Sequence, residues 1–257
     1  MHVSGSRQMG GADQFFVRLV EALEASDHPV LAVTRASSPI ARALRGSPIE
    51  QVHLPLANGW DLYSMWRVRQ LIKSRRPQIV QTYMGRATRL THLPASSGAV
   101  HIARLGGYYR IDGYYRHANA WIGNTKGICD YLIRSGFPSS RVFHIGNFVP
   151  EPEVHSAASL QALREKLSLP PQAWVIFALG RLIEKKGFDD LLRALSQLPP
   201  TIGGCPIHLL VAGDGPRFAE LRGLSDSLGL SQRVLWLGWQ DKPGQYFALA
   251  NPVVCPS

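Results

Sequence analysis

Several features that would place this 257-residue chain in a membrane, outside the cell or around a metal are missing from its sequence. No apolar run approaches the ~20 residues that cross a bilayer, and the first residues include no apolar stretch of the signal-peptide kind. The three cysteines, Cys129, Cys205 and Cys255, lie far apart and form no C-x-x-C pair. This predicts reduced, mostly buried thiols in a cytoplasmic protein, with no zinc site. We also expect no other metal and no bound cofactor.

Short catalytic motifs are also absent. The chain contains no G-x-S-x-G, no H-E-x-x-H and no P-loop, and its nine histidines are scattered. Gly213-Asp214-Gly215 begins like the dinucleotide fingerprint G-x-G-x-x-G, but Phe218 occupies the place of the last glycine. These observations argue against a serine hydrolase, a zinc protease, a P-loop enzyme and a nicotinamide-dependent enzyme.

Positive charge is concentrated in one half of the chain. Residues 1–150 carry 18 Lys and Arg against 8 Asp and Glu, whereas residues 151–257 carry 10 of each kind. Such asymmetry is typical of a domain that meets an anionic partner, which can be nucleic acid, an acidic membrane surface or a phosphorylated substrate. A basic face that only keeps the protein soluble is the alternative.

Short apolar runs alternate with helical periodicity, which predicts βαβ units and parallel sheets of an α/β protein. The pattern occurs twice. The first series covers residues 1–149, residues 150–159 have the composition of a linker, and a shorter second series covers residues 160–257. We therefore expect two Rossmann-like domains, the second of them incomplete.

One predicted helix of the first series combines apolar and basic residues. Asp61 is a good N-cap, and the helix runs from there to about Arg75. The residues expected on its buried side are Leu62, Met65, Trp66, Val68, Leu71 and Ile72. Four basic residues around this helix are expected to bind anionic lipid: Arg67, Lys73, Arg75 and Arg76.

Gly10 and Gly11 close the loop between the first predicted strand and the first predicted helix. Two glycines there let backbone approach a ligand, and the N–H groups of the helix start favour a phosphate. A tight turn that needs positive φ is the alternative.

The run Gly180–Gly187 follows the buried strand predicted over Trp174–Leu179. Ligands bind at the carboxyl ends of strands in open α/β sheets. Arg181 can form two hydrogen bonds with a diphosphate, and Lys186 adds a second positive charge five residues later. The run therefore predicts a site for a departing nucleotide diphosphate, with a charged surface loop as the alternative.

A third candidate segment contains several arginines and tyrosines. It begins at Arg104 and includes Tyr108 and Tyr109. Tyrosine rings stack on sugars, and arginines bind phosphates, so the segment predicts a contact with a phosphorylated or sugar-containing ligand. A partly buried aromatic loop is the alternative.

The order of these motifs resembles that of the retaining group-1 (family four) glycosyltransferases. In the second half, three family motifs match: G-R-L-x-x-x-K-G at Gly180–Gly187, G-x-G-P at Gly213–Pro216, and glycine before an aromatic residue at Gly238-Trp239. In the first half, the glycine-rich loop, P-D-I-V-H and I-x-N-G/F-V match Gly10–Asp13, Pro77–Gln81 and Ile145–Val149. The segment around Arg104 is most similar to that of lipopolysaccharide-core glucosyltransferases.

The resemblance implies a GT-B fold, in which two Rossmann-like domains face each other across a cleft. It implies transfer of a sugar from a nucleotide-sugar donor to an acceptor hydroxyl with retention of configuration, and without a metal, because Arg181 and Lys186 act on the diphosphate. The donor-binding residues that it implies are Gly10, Gly11, Gly180, Gly213, Gly215 and Trp239. The acceptor-binding residues that it implies are Arg104, Tyr108 and Tyr109. The acceptor is expected to be a lipid-linked or phosphorylated glycan at the inner face of the cytoplasmic membrane.

The chain also departs from the family pattern. The family has two glutamates after the P-S that matches Pro256-Ser257, followed by closing helices, and the sequence contains neither. We therefore expect a C-terminally truncated chain that is inactive and marginally stable. One face of its second sheet is expected to expose Ile176, Leu210 and Leu235.

Two other functions compete with the glycosyltransferase prediction. A sugar-nucleotide epimerase has the same two-domain fold, and a nucleic-acid-binding protein would explain the positive charge. The first half contains no recognised nucleic-acid motif, and its aromatic residues do not alternate with basic ones on strands. We therefore expect no nucleic-acid partner.

Overall fold

The computed structural model describes residues 1–149 and 151–257 and divides the chain into two units, Met1–Val149 and Pro150–Ser257. Each unit has its own sheet and its own buried clusters, so each is described by itself. Pro150, the first residue of the predicted linker, lies outside the described residues.

In the first unit, strands and helices alternate as the apolar pattern predicts. Its strands are β1 His2–Ser4, β2 Leu31–Thr34, β3 Glu50–His53, β4 Ile79–Tyr83, β5 Val100–Leu105, β6 Ala120–Gly123 and β7 Val142–His144. Its helices are α1 Gly11–Ala25, α2 Pro39–Ala43, α3 Leu62–Arg75, α4 Met84–Leu90 and α5 Lys126–Arg134.

The seven strands form one parallel sheet in the order β3-β2-β1-β4-β5-β6-β7. The direction of winding therefore reverses between β1 and β4. In open α/β sheets such a reversal opens a crevice at the carboxyl ends of the strands, because the connections on its two sides lead away from each other. The loops that follow β1 and β4 are thus the first place to look for a ligand site.

Helices cover both faces of the sheet around this crevice. On one face Phe16 of α1 packs in a buried cluster with Ala32 and Tyr83. On the other face Val68 of α3 packs in a cluster with Val3 and its neighbours in the sheet. Four apolar side chains on β4, β5 and β7 and directly after β7 are about half exposed: Ile79, Val100, Phe143 and Ile145.

The structure corrects the predicted orientation of α3. The helix begins after Asp61, whose carboxylate accepts a hydrogen bond from the Ser64 N–H as predicted. Its buried side contains Ser64 together with Val68, Leu71 and Ile72. Leu62 and Trp66, which were expected on that side, are 72% and 53% exposed. The expectation was wrong because apolar residues occur all around this helix, and packing selected the side with the small Ser64.

The second unit is a smaller α/β layer. Its strands are β8 Trp174–Leu179, β9 Thr201–Ile202, β10 Cys205–Ala212 and β11 Val234–Gly238. Its helices are α6 Ala157–Lys166, α7 Phe188–Gln197, α8 Phe218–Ser227 and α9 Gly244–Leu249. The parallel order is β11-β10-β8, and Val253 adds a parallel bridge to Phe177 of β8.

Both faces of this second sheet are covered, which corrects the expectation of an exposed face. Ile176 is buried in one cluster with residues of α7 and α8. Leu210 is fully buried on the other face, with Leu163 of α6 and Leu249 of α9, and Leu235 is partly buried against the same cluster. The short helices α6 and α9 cover the face that was expected to be open.

Two smaller predictions are also corrected. Helix α6 begins at Ala157, within the residues 150–159 that were predicted to be a linker, because the Ser156 hydroxyl caps it by accepting a hydrogen bond from the Ser159 N–H. Of the three cysteines only Cys129 is buried, whereas Cys255 is exposed. In the part of the chain that is described, no helix is both long and apolar enough to span a bilayer.

Candidate functional site

A pocket of about 240 Å³ lies at the carboxyl edge of the first sheet, beside the β1/β4 crevice. Residues from the loops after β1, β4, β5 and β6, together with Asn147 after β7, form its wall. The lining residues are Gly11, Ala12, Phe15, Tyr83, Met84, Arg104, Gly106, Asn124 and Asn147. Two residues proposed from the sequence, Gly11 and Arg104, therefore meet in one pocket.

The Gly10-Gly11 loop supplies the start of α1 to this pocket. Neither glycine has positive φ, so the turn does not require glycine, and the tight-turn alternative is wrong. A Cβ at Gly11 would meet no atom within 4 Å, so the space beside this backbone is open. The Asp13 N–H donates to the Gly10 carbonyl at 3.0 Å. In the first helical turn the N–H groups of Gly11 and Ala12 are therefore the ones that can serve an anion.

Asp13 holds this loop in place from inside the protein. Its Oδ2 atom accepts a hydrogen bond from the Gly10 N–H at 3.0 Å, and its side chain is buried. Burial raises the pKa of the Asp13 carboxyl above its ordinary value, although the Gly10 hydrogen bond acts in the opposite direction. Asp13 therefore positions the glycine loop and does not line the pocket.

Arg104 is buried in the pocket wall, and part of its guanidinium is already hydrogen-bonded to other residues of the first unit. Its Nη2 atom donates to the Ile145 carbonyl at 3.0 Å and to Asn147 Oδ1 at 2.9 Å. Its guanidinium lies 3.9 Å above the ring of Phe15. Burial lowers the pKa of Arg104. These contacts fix the guanidinium beside the pocket, where a contact with the acceptor stays a prediction.

Tyr108 and Tyr109 do not line this pocket. Tyr108 is 69% exposed, and its ring packs edge-on against Tyr131 at 5.5 Å between centroids. The ring of Tyr109 lies against Gly107, and its carbonyl accepts a hydrogen bond from the Tyr131 hydroxyl. Tyr109 is thus placed as the alternative of a partly buried aromatic loop predicts. Tyr108 is open to solvent.

Sequence reasoning missed several pocket residues that lie at the end of a strand or directly after it. Burial raises the pKa of Tyr83, whose hydroxyl receives a hydrogen bond from Gln81 Nε2 at 2.8 Å. Met84 has φ of 62°, a left-handed conformation that costs a non-glycine residue about 1–2 kcal/mol. Asn124 Oδ1 is buried without a hydrogen-bond partner among the described residues, so it is free to accept one from a ligand. Their position after β4 and β6 was the signal that could have found them.

In the second unit, three loops meet at the carboxyl edge of the sheet. Gly180 N donates to the Ala212 carbonyl, and Leu182 N donates to the Asp214 carbonyl, so the loops after β8 and β10 are joined by backbone hydrogen bonds. Gly213 N donates to the Gly238 carbonyl and joins the loop after β11.

The two glycines of the loop after β10 make this close approach possible. A Cβ at Gly213, whose φ is 131°, would lie 1.9 Å from the Gly180 carbonyl oxygen. A Cβ at Gly215 would lie 2.5 Å from the Leu182 carbonyl oxygen. These glycines are therefore required by contact between loops, and their contact with a donor stays a prediction.

The predicted diphosphate-binding residues lie on the loop that is held in this way. Arg181 is exposed, and Lys186 is partly buried with its Nζ atom 3.4 Å from Ser257 Oγ. Among the described residues neither of them forms an ion pair. Gly187, in the left-handed conformation at φ 62°, begins α7 directly after them. Both cations are available to an anionic ligand.

Trp239 follows β11 at the same edge of the second sheet. It is about half exposed, and its Nε1 atom donates to Asp241 Oδ1 at 2.7 Å. Gly238 before it has φ of 65°, which turns the chain at the end of the strand. The ring thus has an open face near the three loops. Within residues 1–149 and 151–257, no group of three or more His, Cys, Asp and Glu side chains is placed to hold a metal ion.

Two family models match the chain, one for each unit. The model described as "Glycosyltransferase Family 4" matches residues 9–151, and the model described as "Glycosyl transferases group 1" matches residues 160–257. The first match includes the glycine loop and the pocket of the first sheet, and the second includes Arg181, Lys186 and Trp239.

Individual relatives match along almost the whole chain. The lipopolysaccharide core biosynthesis glycosyltransferase LpsE of Rhizobium meliloti is 30% identical over 96% of this chain and 69% of its own length. LpsD of the same organism is 30% identical over 100% of this chain and 71% of its own length. The Anabaena protein Alr3699/HepE, solved with UDP and glucose, has a TM-score of 0.80 at 18% identity, over 98% of this chain and 72% of that one. This last likeness shows that the fold is shared.

Proposed function

The chain belongs to the group 1 (family four) glycosyltransferases, and from this membership we propose that it moves a sugar from a nucleotide-sugar donor to a glycan or lipid-linked acceptor of the cell envelope. The observation that carries the proposal is the loop Gly180–Gly187, which holds Arg181 and Lys186 at the carboxyl edge of a sheet within a matched glycosyltransferase region. Neither side chain forms an ion pair with the described residues. Names of the relatives support lipopolysaccharide or a related envelope polysaccharide as the product.

At the donor end, Arg181 and Lys186 would bind the diphosphate. When the bond between the anomeric carbon and the diphosphate oxygen breaks, negative charge develops on the leaving phosphate. A guanidinium and an ammonium next to that oxygen stabilise the charge without a divalent metal. UDP and glucose in the related Anabaena structure support a UDP-sugar as the first donor to test.

We propose that the transfer retains the configuration of the anomeric carbon. The acceptor hydroxyl forms its bond to that carbon on the face from which the diphosphate leaves, and its proton passes to the leaving phosphate oxygen. The reaction then needs neither a nucleophile nor a general base from the protein. The anomeric configuration of the product, measured by NMR, tests this step.

The basic first unit would bind the acceptor. It carries the whole excess of ten positive charges, and its pocket offers a guanidinium at Arg104 and a free acceptor atom at Asn124 Oδ1. These groups suit the hydroxyl and anionic groups of a glycan. A lipid-linked acceptor would place the enzyme on the inner face of the cytoplasmic membrane.

The outward side of α3 supports such a membrane contact. Leu62, Trp66, Arg69 and Lys73 recur at helical spacing on this side, and all four are exposed. Tryptophan and leucine enter the lipid–water interface, and basic residues are drawn to anionic lipid. Arg75, which was expected to contribute, pairs with Glu50.

The donor proposal is tested by titrating the chain with UDP, GDP and ADP in a calorimeter. We expect Arg181→Ala and Lys186→Ala each to weaken binding of the preferred nucleotide by about 10- to 100-fold, the value of a charge-assisted hydrogen bond. In glycosyl transfer by a chain that includes the family's two glutamates, each variant is expected to lower turnover by about 10²- to 10³-fold.

Lys185→Ala is the matched control, because Lys185 is an exposed cation on the same loop. Its variant is expected to bind nucleotide within about twofold of the unaltered chain, since a solvated charge contributes little. If none of the three nucleotides binds, or if Lys185→Ala is as damaging as the other two, the assignment of Arg181 and Lys186 is wrong.

A further inference from the structure

Three arginines from the connections after β1, β2 and β4 converge at the carboxyl edge of the first sheet. Arg7 follows β1, Arg35 directly follows β2, and Arg86 lies in α4 after β4. Arg35 Nη1 donates to the Leu56 carbonyl at 2.8 Å, and Arg86 Nη1 lies 3.4 Å from the same oxygen. The two guanidinium groups are therefore within about 6 Å of each other.

Arg7 completes the cluster. Its Nη2 atom donates at 3.0 Å to the carbonyl of Ala57, the residue after Leu56. Burial lowers the pKa of Arg35, and the charges of Arg7 and Arg86 lower it further, so the three groups act on one another. Each guanidinium has five N–H donors, and the loop carbonyls use only one or two of them.

The nearby acidic group does not neutralise the cluster. Asp61 Oδ2 accepts hydrogen bonds from the Ala57 N–H and the Ser64 hydroxyl, and Oδ1 accepts from the Ser64 N–H. Its charge raises the pKa of Arg35, but none of the three arginines forms an ion pair within the described ranges 1–149 and 151–257. Three positive charges against one negative charge leave about two uncompensated.

We propose that Arg7, Arg35 and Arg86 form a binding site for a phosphate group on the acceptor sugar. The site lies at the carboxyl ends of β1, β2 and β4, on the same sheet edge as the pocket. A phosphate monoester carries about −1.5 to −2 charges at pH 7 and so matches the surplus, whereas a single carboxylate matches half of it. Bidentate arginine pairing gives the site its selectivity for a planar or tetrahedral oxyanion.

The inference deepens the proposed function, because it names the chemistry by which the acceptor is recognised. Arginines that only held the loop carbonyls would need no such concentration of charge, since a neutral amide donates to a carbonyl equally well. The proposal therefore predicts ligand binding that loop stabilisation alone does not.

The test compares glucose 6-phosphate, glucuronate and glucose as ligands in NMR titrations of the whole chain. We expect glucose 6-phosphate to bind most tightly, and Arg7→Gln, Arg35→Gln and Arg86→Gln each to weaken its binding about tenfold or more. Arg86→Lys should bind glucose 6-phosphate more tightly than Arg86→Gln but less tightly than the unaltered chain, because lysine keeps the positive charge but cannot make the paired hydrogen bonds of a guanidinium. Arg7 is exposed, so its variant keeps the test valid if the others unfold, which melting curves will show.

Arg42→Gln is the matched control, because Arg42 Nη1 also donates to a carbonyl of the loop after β2, that of Ser37, but Arg42 is not one of the three clustered arginines. It should leave glucose 6-phosphate binding unchanged. Equal binding of glucose and glucose 6-phosphate, or equal loss in Arg42→Gln, would overturn the proposal, and tighter binding of glucuronate would overturn the choice of phosphate. UDP binding should be unaffected in the Arg7→Gln, Arg35→Gln and Arg86→Gln variants, and failure of UDP to bind the unaltered chain would count against the donor function alone.

Discussion

Gly213 is the single residue at which a side chain is least tolerable in the second unit. Its φ of 131° is unfavourable for other residues, and an added Cβ would collide with the Gly180 carbonyl oxygen. We expect Gly213→Ala to lower the free energy of unfolding by at least about 2 kcal/mol, because the two loops must separate. Nucleotide binding should weaken with it, since Arg181 lies on the displaced loop.

Gly223 is the matched control for this substitution. It lies exposed within α8, and a Cβ there would meet no atom within 4 Å. Gly223→Ala is therefore expected to raise the free energy of unfolding by about 0.5–1 kcal/mol through helix propensity. Chemical denaturation measures the free energy of unfolding of both variants. Similar effects of the two substitutions would show that the loop contact at Gly213 does not constrain the fold.

At the scale of elements, the outward side of α3 allows two interpretations to be compared. It is either a membrane-binding surface or a basic face that only keeps the protein soluble. The apolar pair Leu62 and Trp66 precedes the basic pair Arg69 and Lys73 on the exposed side. If the helix lies on a membrane, both pairs must contribute, whereas a solvated basic face depends on charge alone.

We expect binding to vesicles of phosphatidylcholine with about one-third phosphatidylserine to fall in two ways. Reversing Arg69 and Lys73 to Glu should remove attraction of about 1 kcal/mol per original charge and the salt dependence with it. Changing Leu62 and Trp66 to Ser should weaken binding at every salt concentration. Co-sedimentation measures both. Arg164→Glu in α6 is the control and should leave vesicle binding unchanged. If the four α3 substitutions also leave vesicle binding unchanged, the outward side of α3 is not a membrane-binding surface.

At the scale of the whole molecule, the first unit contains buried neutral histidines that make its stability depend on pH. His2 Nδ1 lies 3.0 Å from the Tyr83 hydroxyl, and His101 Nε2 lies 3.0 Å from the Thr82 hydroxyl. Burial lowers the pKa of each to about 3, with smaller contributions from neighbouring positive charge. Unfolding returns them to the ordinary pKa of about 6.5.

The unfolded state therefore binds more protons than the folded state between pH 6.5 and 3. Stability from these histidines is fully present above pH 6.5 and is lost as pH falls toward 3, by up to about 1.4 kcal/mol per pH unit for each. We expect His101→Leu to make this slope shallower by about that amount. Urea denaturation between pH 7 and 4 measures it.

Leu132→Ala is the control for the pH experiment, because Leu132 is fully buried in the first unit and does not titrate. It should lower the free energy of unfolding by about 2–5 kcal/mol at every pH and leave the slope unchanged. Equal slopes for the unaltered chain and His101→Leu would mean that His101 does not account for the acid sensitivity.

Much of the secondary structure was predictable from local pattern. The strand Trp174–Leu179 has the predicted bounds, because a short apolar run between loops has few alternatives. Helix α4 was not predicted, since it has only seven residues and begins at Met84 in a left-handed conformation. The hairpin strand β9 has only two residues and leaves no periodic signal.

The candidate site was predicted in part. Arg181 and Lys186 were identified because they follow a recognisable strand on one continuous motif. The pocket residues Tyr83, Met84 and Asn124 were missed, because each is an ordinary residue whose role depends on strands from elsewhere in the chain. The outward position of Trp66 was also missed, since hydrophobicity alone does not say which side of an apolar helix finds a partner.

The sequence by itself determined that the chain forms two series of parallel strands and helices, and that its motifs are those of a glycosyltransferase. These properties are local, because the periodicity and spacing of a few neighbouring residues encode them. Only the tertiary structure decided that Gly213 adjoins Gly180, and that Arg7, Arg35 and Arg86 share one corner of the sheet edge. Their proximity follows from the strand order, which places β2, β1 and β4 side by side and brings together residues up to 79 positions apart.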